Sequence, residues 1–242
     1  MTVPLLSALE RFLLPNACVA CDRPVAEQTP DRLLCGLCRT RLRAVPAGCA
    51  RCGQPLPPIP PCRFCRDWPE ALREVRSAVW LDDPARAVVH HLKYQGLPSL
   101  GREAAELIGR CVPRPAGAIL APIPLAPRRL RTRGYNQATA IARGLGALWR
   151  LPVAETLVAR TRDTGTQTAL TPEARSQNVA GAFRARRATG KPGEPAVILV
   201  DDVLTTGATL CAAAAALADA EWSVIRGVTF ARALPYELRA AV

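Results

Sequence analysis

Two adjacent carboxylates, Asp201 and Asp202, follow the aliphatic run Val197–Val200 and precede Thr205, Thr206, Gly207, Ala208 and Thr209. An all-aliphatic run of this kind reads as a central parallel strand. The acids would then leave the carboxyl end of a buried strand, which is where open α/β sheets bind their ligands. The backbone N–H groups of the following loop, and the helix that opens after it, suit a phosphate monoester. Three threonine hydroxyls add donors, and Gly207 lets the backbone approach closely. The carboxylates suit the vicinal hydroxyls of a ribose and help to hold Mg²⁺. A strand followed by a capped helix would account for Thr206 or Thr209 as an N-cap, but not for an acidic pair leaving a buried strand. The chemistry these residues support is phosphoribosyl binding, with Asp201 and Asp202 as the catalytic pair.

A second group of reactive residues lies near the other end. Eight of the ten cysteines form the pairs Cys18/Cys21, Cys35/Cys38, Cys49/Cys52 and Cys62/Cys65, separated by 13, 10 and 9 residues. A Cys-x-x-Cys knuckle presents both sulfurs to one tetrahedral metal, and two knuckles complete a closed site of four thiolates. Redox dithiols or disulfides are the alternatives, but four pairs in succession, without a strand–helix context, favour two structural zinc ions. Sequential and interleaved pairing both remain open, although short loops close at lower entropic cost in the sequential form. Gly36 and Gly53 stand where the knuckle turns would benefit from a residue without Cβ. Cys111 and Cys211 stand alone beside apolar residues and read as small buried hydrophobes.

The elements that must position these groups follow from periodicity. Strands are expected at Val75–Leu81, Ala118–Ile123, Val153–Leu157, Val197–Val200 and Val224–Phe230, and helices at Pro84–Tyr94, Leu100–Val112, Asn136–Trp149 and Gly207–Asp219. Their alternation predicts an α/β doubly wound parallel sheet over residues 73–242, behind a small double zinc ribbon over residues 1–72. The chain of 242 residues carries a net charge of +12. Residues 1–70 account for +3 and the remainder for +9. Each four-thiolate zinc site would carry −2, so the basic excess belongs to the second part, as a polyanionic ligand requires. No apolar run is long enough to span a membrane. Met1–Pro15 carries Glu10 and Arg11 without a small-residue cleavage site, so it does not read as a signal peptide, and a cytoplasmic location is expected. His90 and His91, the only histidines, read as surface or packing residues.

The loop resembles the phosphoribosyl pyrophosphate (PRPP) loop of type I phosphoribosyltransferases. The chain as a whole resembles the ComF family, competence-associated proteins with an N-terminal double zinc ribbon. The matching segments are the cysteine pairs, His91–Gly96, Pro122–Leu125, Arg131–Gln137, Arg160–Gln167, Arg175–Phe183 and the loop itself. Tyr94 and Tyr135 stand where that family commonly has Phe. The resemblance implies that Arg128, Arg129, Arg131 and Arg133 line a loop that grips pyrophosphate, which guanidinium forks suit. It also implies that the polar stretch Arg160–Phe183 is a mobile loop, closing to bring Arg162 or Arg175 onto the pyrophosphate. Transferases of 6-oxopurines carry Asp where Thr205 stands, which argues against that acceptor class.

The sequence therefore points to a PRPP-binding phosphoribosyltransferase-type protein linked by resemblance to DNA uptake. A non-catalytic module that senses PRPP and binds single-stranded DNA is the alternative, with DNA-uptake proteins as partners. Aromatic residues make up 5% of the chain, so no stacking platform for single-stranded DNA is evident. Metal analysis of the purified protein is expected to find two zinc ions per chain, with one lost in Cys52→Ser. Disulfides in place of metal would refute the ribbon reading.

Overall fold

The computed structural model describes residues 17–25, 34–55, 62–94, 99–162, 179–189 and 195–233. The elements in chain order are α1 (Gly36–Thr40), β1 (Leu72–Trp80), α2 (Asp83–Tyr94), α3 (Ser99–Cys111), β2 (Ala118–Pro122), α4 (Pro127–Arg133) and α5 (Gln137–Trp149). They continue with β3 (Val158–Arg160), β4 (Phe183–Ala185), β5 (Ala196–Leu204), α6 (Ala208–Asp219) and β6 (Ile225–Arg232). Four strands form a parallel sheet in the order β1-β6-β5-β2.

Alternation along β5 explains the two layers. Ile198 and Val200 face a core with Leu92, Ile108, Ile141, Leu145 and Phe230, contributed by α2, α3, α5 and β6. Val197 and Leu199 face the opposite core, with Leu210, Ala213 and Leu217 of α6. A strand buried on both faces must be aliphatic throughout, as its sequence is. The two helices α3 and α5 cross closely: a Cβ on Gly144 would lie 2.7 Å from the Ala105 Cβ and 2.8 Å from the Arg102 Cα. Among the described residues, no helix is long and apolar enough to cross a membrane.

Two sequence expectations differ from the structure. The arginine-rich segment after β2 is a helix, α4, and not a loop. Pro127 sits in its first turn and Gly134 closes it in the left-handed region at φ 76°, a start and stop that suit a helix of this length. No strand spans Val153–Leu157. Val153 makes a single parallel bridge to Leu120, the chain turns, and Val158–Arg160 pairs antiparallel with Phe183–Ala185. Two smaller corrections concern lone residues. Cys111 is exposed and Cys211 half-buried, and Gly36 lies inside α1 with nothing near a would-be Cβ, whereas Gly53 does adopt φ 70°.

The cysteine-bearing segments cover the outer edge of the sheet. Residues 43–45 run antiparallel beside β1, with an Ala44–Val79 bridge and hydrogen bonds from Val45 N to Ala78 O (3.1 Å) and Trp80 N to Arg43 O (2.9 Å). An edge strand otherwise exposes unpaired backbone, so this cover protects it. At the end of β6 the buried Arg232 donates to Cys52 O at 2.6 Å and to Gln54 Oε1 at 2.7 Å. Burying a guanidinium is costly unless it is bonded; here Nη1 and Nη2 find their partners in the ribbon, while Nε has none among the described residues. Arg232→Met is therefore expected to lower the unfolding free energy by about 3 kcal/mol. Urea titration should show ribbon and sheet unfolding in one transition; an unchanged midpoint would contradict this.

Candidate functional site

β5 carries Asp201 and Asp202 to its carboxyl end. Asp201 accepts a hydrogen bond from the Asp202 backbone N–H at 2.9 Å. Burial, and then the neighbouring Asp202 charge, raise its pKa from 3.8 to about 8. Asp202 is held differently: Lys93 Nζ lies 2.9 Å from its Oδ2, and the two side chains are 28% and 14% exposed. This pairing places the last turn of α2 directly against the acidic pair. The same turn is fixed from its other side. The Tyr135 hydroxyl donates to the Leu92 carbonyl, and the Arg133 guanidinium lies over the Tyr94 ring, 5.5 Å from its centroid.

Beyond the acids, the chain bends through Thr205 and Thr206 into α6. Gly207 takes φ 84°, a left-handed conformation as the N-cap residue of that helix, and glycine adopts it without strain. Thr206 Oγ1 accepts from Ala208 N at 3.4 Å, a long contact that leaves the hydroxyl available to another partner. Asp201, Thr205, Thr206, Gly207, Ala208 and Thr209 line one concavity, which Asp202 does not border. The N-terminus of a helix of twelve residues opens there, with unsatisfied N–H groups suited to an anion.

The arginines are placed less uniformly. Arg128 and Arg131 are exposed on α4, which buries no side chain of its own. Arg133 donates to Gln137 Oε1 at 3.0 Å besides stacking on Tyr94. Arg162 is exposed, and its Nη2 donates to Ala180 O at 2.8 Å, across the base of the segment expected to close. Arg175 lies outside the described residues. Asn136 caps α5 by accepting from Ala138 N and donating to Ile123 O, which fixes the turn between α4 and α5. A wide concavity of about 1080 Å³ lies between α3, α5 and the β2–α4 connection; it borders Tyr135 and Asn136 but excludes the acidic pair.

Two contributors escaped the sequence reading. Lys93 is one of two lysines in a chain with 30 arginines, and that rarity was the available signal. Trp68 packs its indole against Gly207, where a Cβ would lie 2.5 Å from its Cζ2 atom; nothing in local sequence announces a contact across 139 positions.

Away from the sheet the cysteines form two groups, Cys18/Cys21/Cys35/Cys38 and Cys49/Cys52/Cys62/Cys65, so pairing is sequential. Within each group all four sulfurs lie within 4.8 Å of one another. The separations Cys21–Cys35 (3.7 Å), Cys49–Cys65 (3.8 Å) and Cys52–Cys62 (3.8 Å) match the edge of a tetrahedron with metal–sulfur bonds of about 2.3 Å. Burial pushes the Cys38 and Cys65 thiols up, while Cys35 and Cys49 are lowered to about 7 by neighbouring hydrogen bonds; four thiolates crowded this closely need a cation at their centre. Both groups fit structural zinc.

Residues 130–239 match the family described as phosphoribosyl transferase domain, and residues 9–66 match the double zinc ribbon domain. Similar proteins include the "DNA utilization protein YhgH" of Salmonella typhi, 28% identical over 81% of this chain and 88% of its own length. "Competence protein F" of Haemophilus influenzae is 28% identical over 73% of this chain and 80% of its own. "Competence protein ComFC" of Bacillus subtilis is 26% identical over 83% and 88%.

A carboxyl whose folded pKa is raised above its unfolded value costs stability once pH exceeds the unfolded value. For Asp201 the cost sets in as pH rises through about 4 and grows until about pH 8. Asp201→Asn is expected to be more stable than the native protein at pH 7.5, with the difference vanishing near pH 4. Urea denaturation at the two pH values checks this, and equal stability at pH 7.5 would show that Asp201 ionises freely.

Proposed function

We propose that the β5–α6 loop of this chain, in which residues similar to a double zinc ribbon domain precede residues similar to a phosphoribosyl transferase domain, binds PRPP as the magnesium complex. One observation carries the reading: a parallel strand buried on both faces delivers two acids to a threonine loop that opens a helix at a left-handed glycine. In this reading the N–H groups of Gly207 and Ala208, with the hydroxyls of Thr205, Thr206 and Thr209, take the 5′-phosphate. Asp201 and Asp202 accept from the ribose 2′- and 3′-hydroxyls. Magnesium, when bound, would neutralise the pyrophosphate charge. Arg128, Arg131 and Arg133 on α4 face the same ligand as its counter-charge, and Arg162 and Arg175 are assigned to closure of the segment between β3 and β4.

If turnover occurs, the bond between ribose C1 and the pyrophosphate oxygen breaks, its electron pair leaves with pyrophosphate, and positive charge develops on the ring. The two carboxylates then lie beside a cationic ring and the arginines beside a departing anion, an electrostatic arrangement that stabilises charge separation. The acceptor that closes the reaction is not assigned. A second reading rests on α4, whose arginines stand on a helix that buries nothing. Of those arginines Arg128 and Arg131 are the exposed ones, and together with the names of the DNA utilization and competence relatives they support a PRPP sensor that binds single-stranded DNA. A cytoplasmic location, and a division near residue 72 between ribbon and transferase parts, belong to both readings.

Calorimetry of PRPP with Mg²⁺, beside a pyrophosphate-release assay with and without single-stranded DNA, separates the two. Wild type is expected to bind PRPP saturably and ribose 5-phosphate more weakly. Thr206→Val should lose about 1.5–3 kcal/mol of binding, roughly equally in ground state and turnover. Asp202→Asn should depress turnover more than binding. Saturable binding with no pyrophosphate release under any condition leaves the sensor, and no PRPP binding refutes both.

A further inference from the structure

The second cysteine group lies behind the loop that takes the phosphate, tied to it on two sides. From one side comes Trp68, three residues beyond Cys65. Its indole occupies the space beside Gly207 where a side chain would begin, with atoms 2.5, 2.9 and 3.2 Å from an ideal Cβ position. The Trp68 backbone N–H donates to Cys65 O at 3.1 Å, so the indole is carried by the cysteine knuckle itself.

Arg51, which stands between Cys49 and Cys52, locks that arrangement. Its guanidinium donates to the carbonyls of Cys65 (2.9 Å), Trp68 (2.8 Å), Pro69 (2.6 Å) and Leu72 (3.1 Å). One knuckle of the group thus holds the outgoing chain of the other, up to the first residue of β1. From the second side comes Arg232, which donates to Cys52 O. Arg232 is the register partner of Leu204 across β5 and β6, and Ala233 N donates to Leu204 O at 2.8 Å. Leu204 immediately precedes Thr205.

The segment Thr205–Gly207 is therefore supported at both ends by the group Cys49/Cys52/Cys62/Cys65. The other group, Cys18/Cys21/Cys35/Cys38, packs elsewhere: three of its cysteines join the core formed by α2, α3 and α5, on the sheet face opposite α6.

We propose that Trp68 and Arg51 are positioning residues for the phosphate loop, so that zinc in the second cysteine group and PRPP in the loop each raise the affinity for the other. The inference rests on the PRPP reading above. Its physical basis is that linkage between two sites is reciprocal and needs an element that both sites bias; here that element is the loop held between Trp68 and Arg232. Trp68 does not touch the reacting atoms. It fixes the backbone whose N–H groups bind the phosphate.

The test uses the zinc-loaded full chain and follows metal release to a chromophoric chelator, with and without PRPP, in excess Mg²⁺. Inorganic pyrophosphate at the same concentration controls for chelation by the ligand. Release is expected in two phases, and saturating PRPP should slow one of them about tenfold and leave the other unchanged. Trp68→Ala should abolish the slowing and weaken PRPP binding about tenfold while retaining two zinc ions, and Trp68→Phe should restore both. A merely structural Trp68 would lower the melting temperature without altering the difference PRPP makes. Should Trp68→Ala fold poorly, the wild-type comparison alone still decides. PRPP binding by calorimetry without a change in either phase, or with equal slowing of both, overturns this inference and leaves the PRPP reading standing. Absence of PRPP binding overturns the two together.

Discussion

Two carboxylates at the end of an aliphatic strand cannot both ionise cheaply, and the surroundings of β5 are organised around that constraint. Asp201, close to the core and to its neighbour's charge, keeps its proton up to about pH 8. Asp202 instead lies 2.9 Å from the Nζ of Lys93. The lysine reaches it only because α2 ends at the acidic pair. Tyr135 holds the Leu92 carbonyl, and Arg133 covers Tyr94. Tyr135 and Arg133 in turn belong to the junction where α4 stops at Gly134 and Asn136 caps α5. The segment after β2 thus sets the position of the cation as well as presenting exposed arginines.

Much of this was legible along the chain. Spacing disclosed the eight cysteines, because a knuckle is a local object and two residues between ligands fix its geometry. The strand β5 and the loop beyond it were equally visible, since burial on both faces demands an unbroken aliphatic run. Helix α4 escaped although Pro127 and Gly134 bracket it at suitable places, because the resemblance implied that its four arginines line a loop that grips pyrophosphate. The β3–β4 pair left almost no trace, being two strands of three residues separated by more than twenty positions. Lys93 and Trp68 were beyond local reasoning. Each owes its role to a partner more than a hundred residues away, and only the tertiary fold supplies such contacts.

The ribbons follow another physical logic. With few large apolar side chains they cannot bury enough surface to offset chain entropy, and a closed four-thiolate site supplies the missing cohesion. The two groups are nonetheless unequal. The first lends Cys18, Cys35 and Cys38 to the same core as α2 and α3, while residues 43–45 between the groups pair with the edge of β1. The second is bound by buried or half-buried guanidiniums, Arg51 and Arg232, whose partners are chiefly backbone carbonyls. Guanidiniums suit that place: they remain charged, offset the anionic thiolates, and satisfy several carbonyls at once from a rigid fork. The ribbon is thereby built into the back of the phosphate loop.

Charge completes the picture of the site. Burial holds Asp201 toward its protonated form and Asp202 is ion-paired with Lys93, which lessens the negative charge that the acidic pair presents. A polyanion approaching this end of the sheet therefore meets less repulsion than two free carboxylates would give. The basic excess of the chain lies outside residues 1–70, and α4 displays part of it beside the same end of the sheet. Long-range attraction thus comes from exposed arginines, while the carboxylates act only at contact, where hydroxyl donors or a divalent cation replace the proton and the ammonium. On the proposed PRPP reading, separating attraction from recognition in this way would let one site take a strongly anionic ligand through two acids.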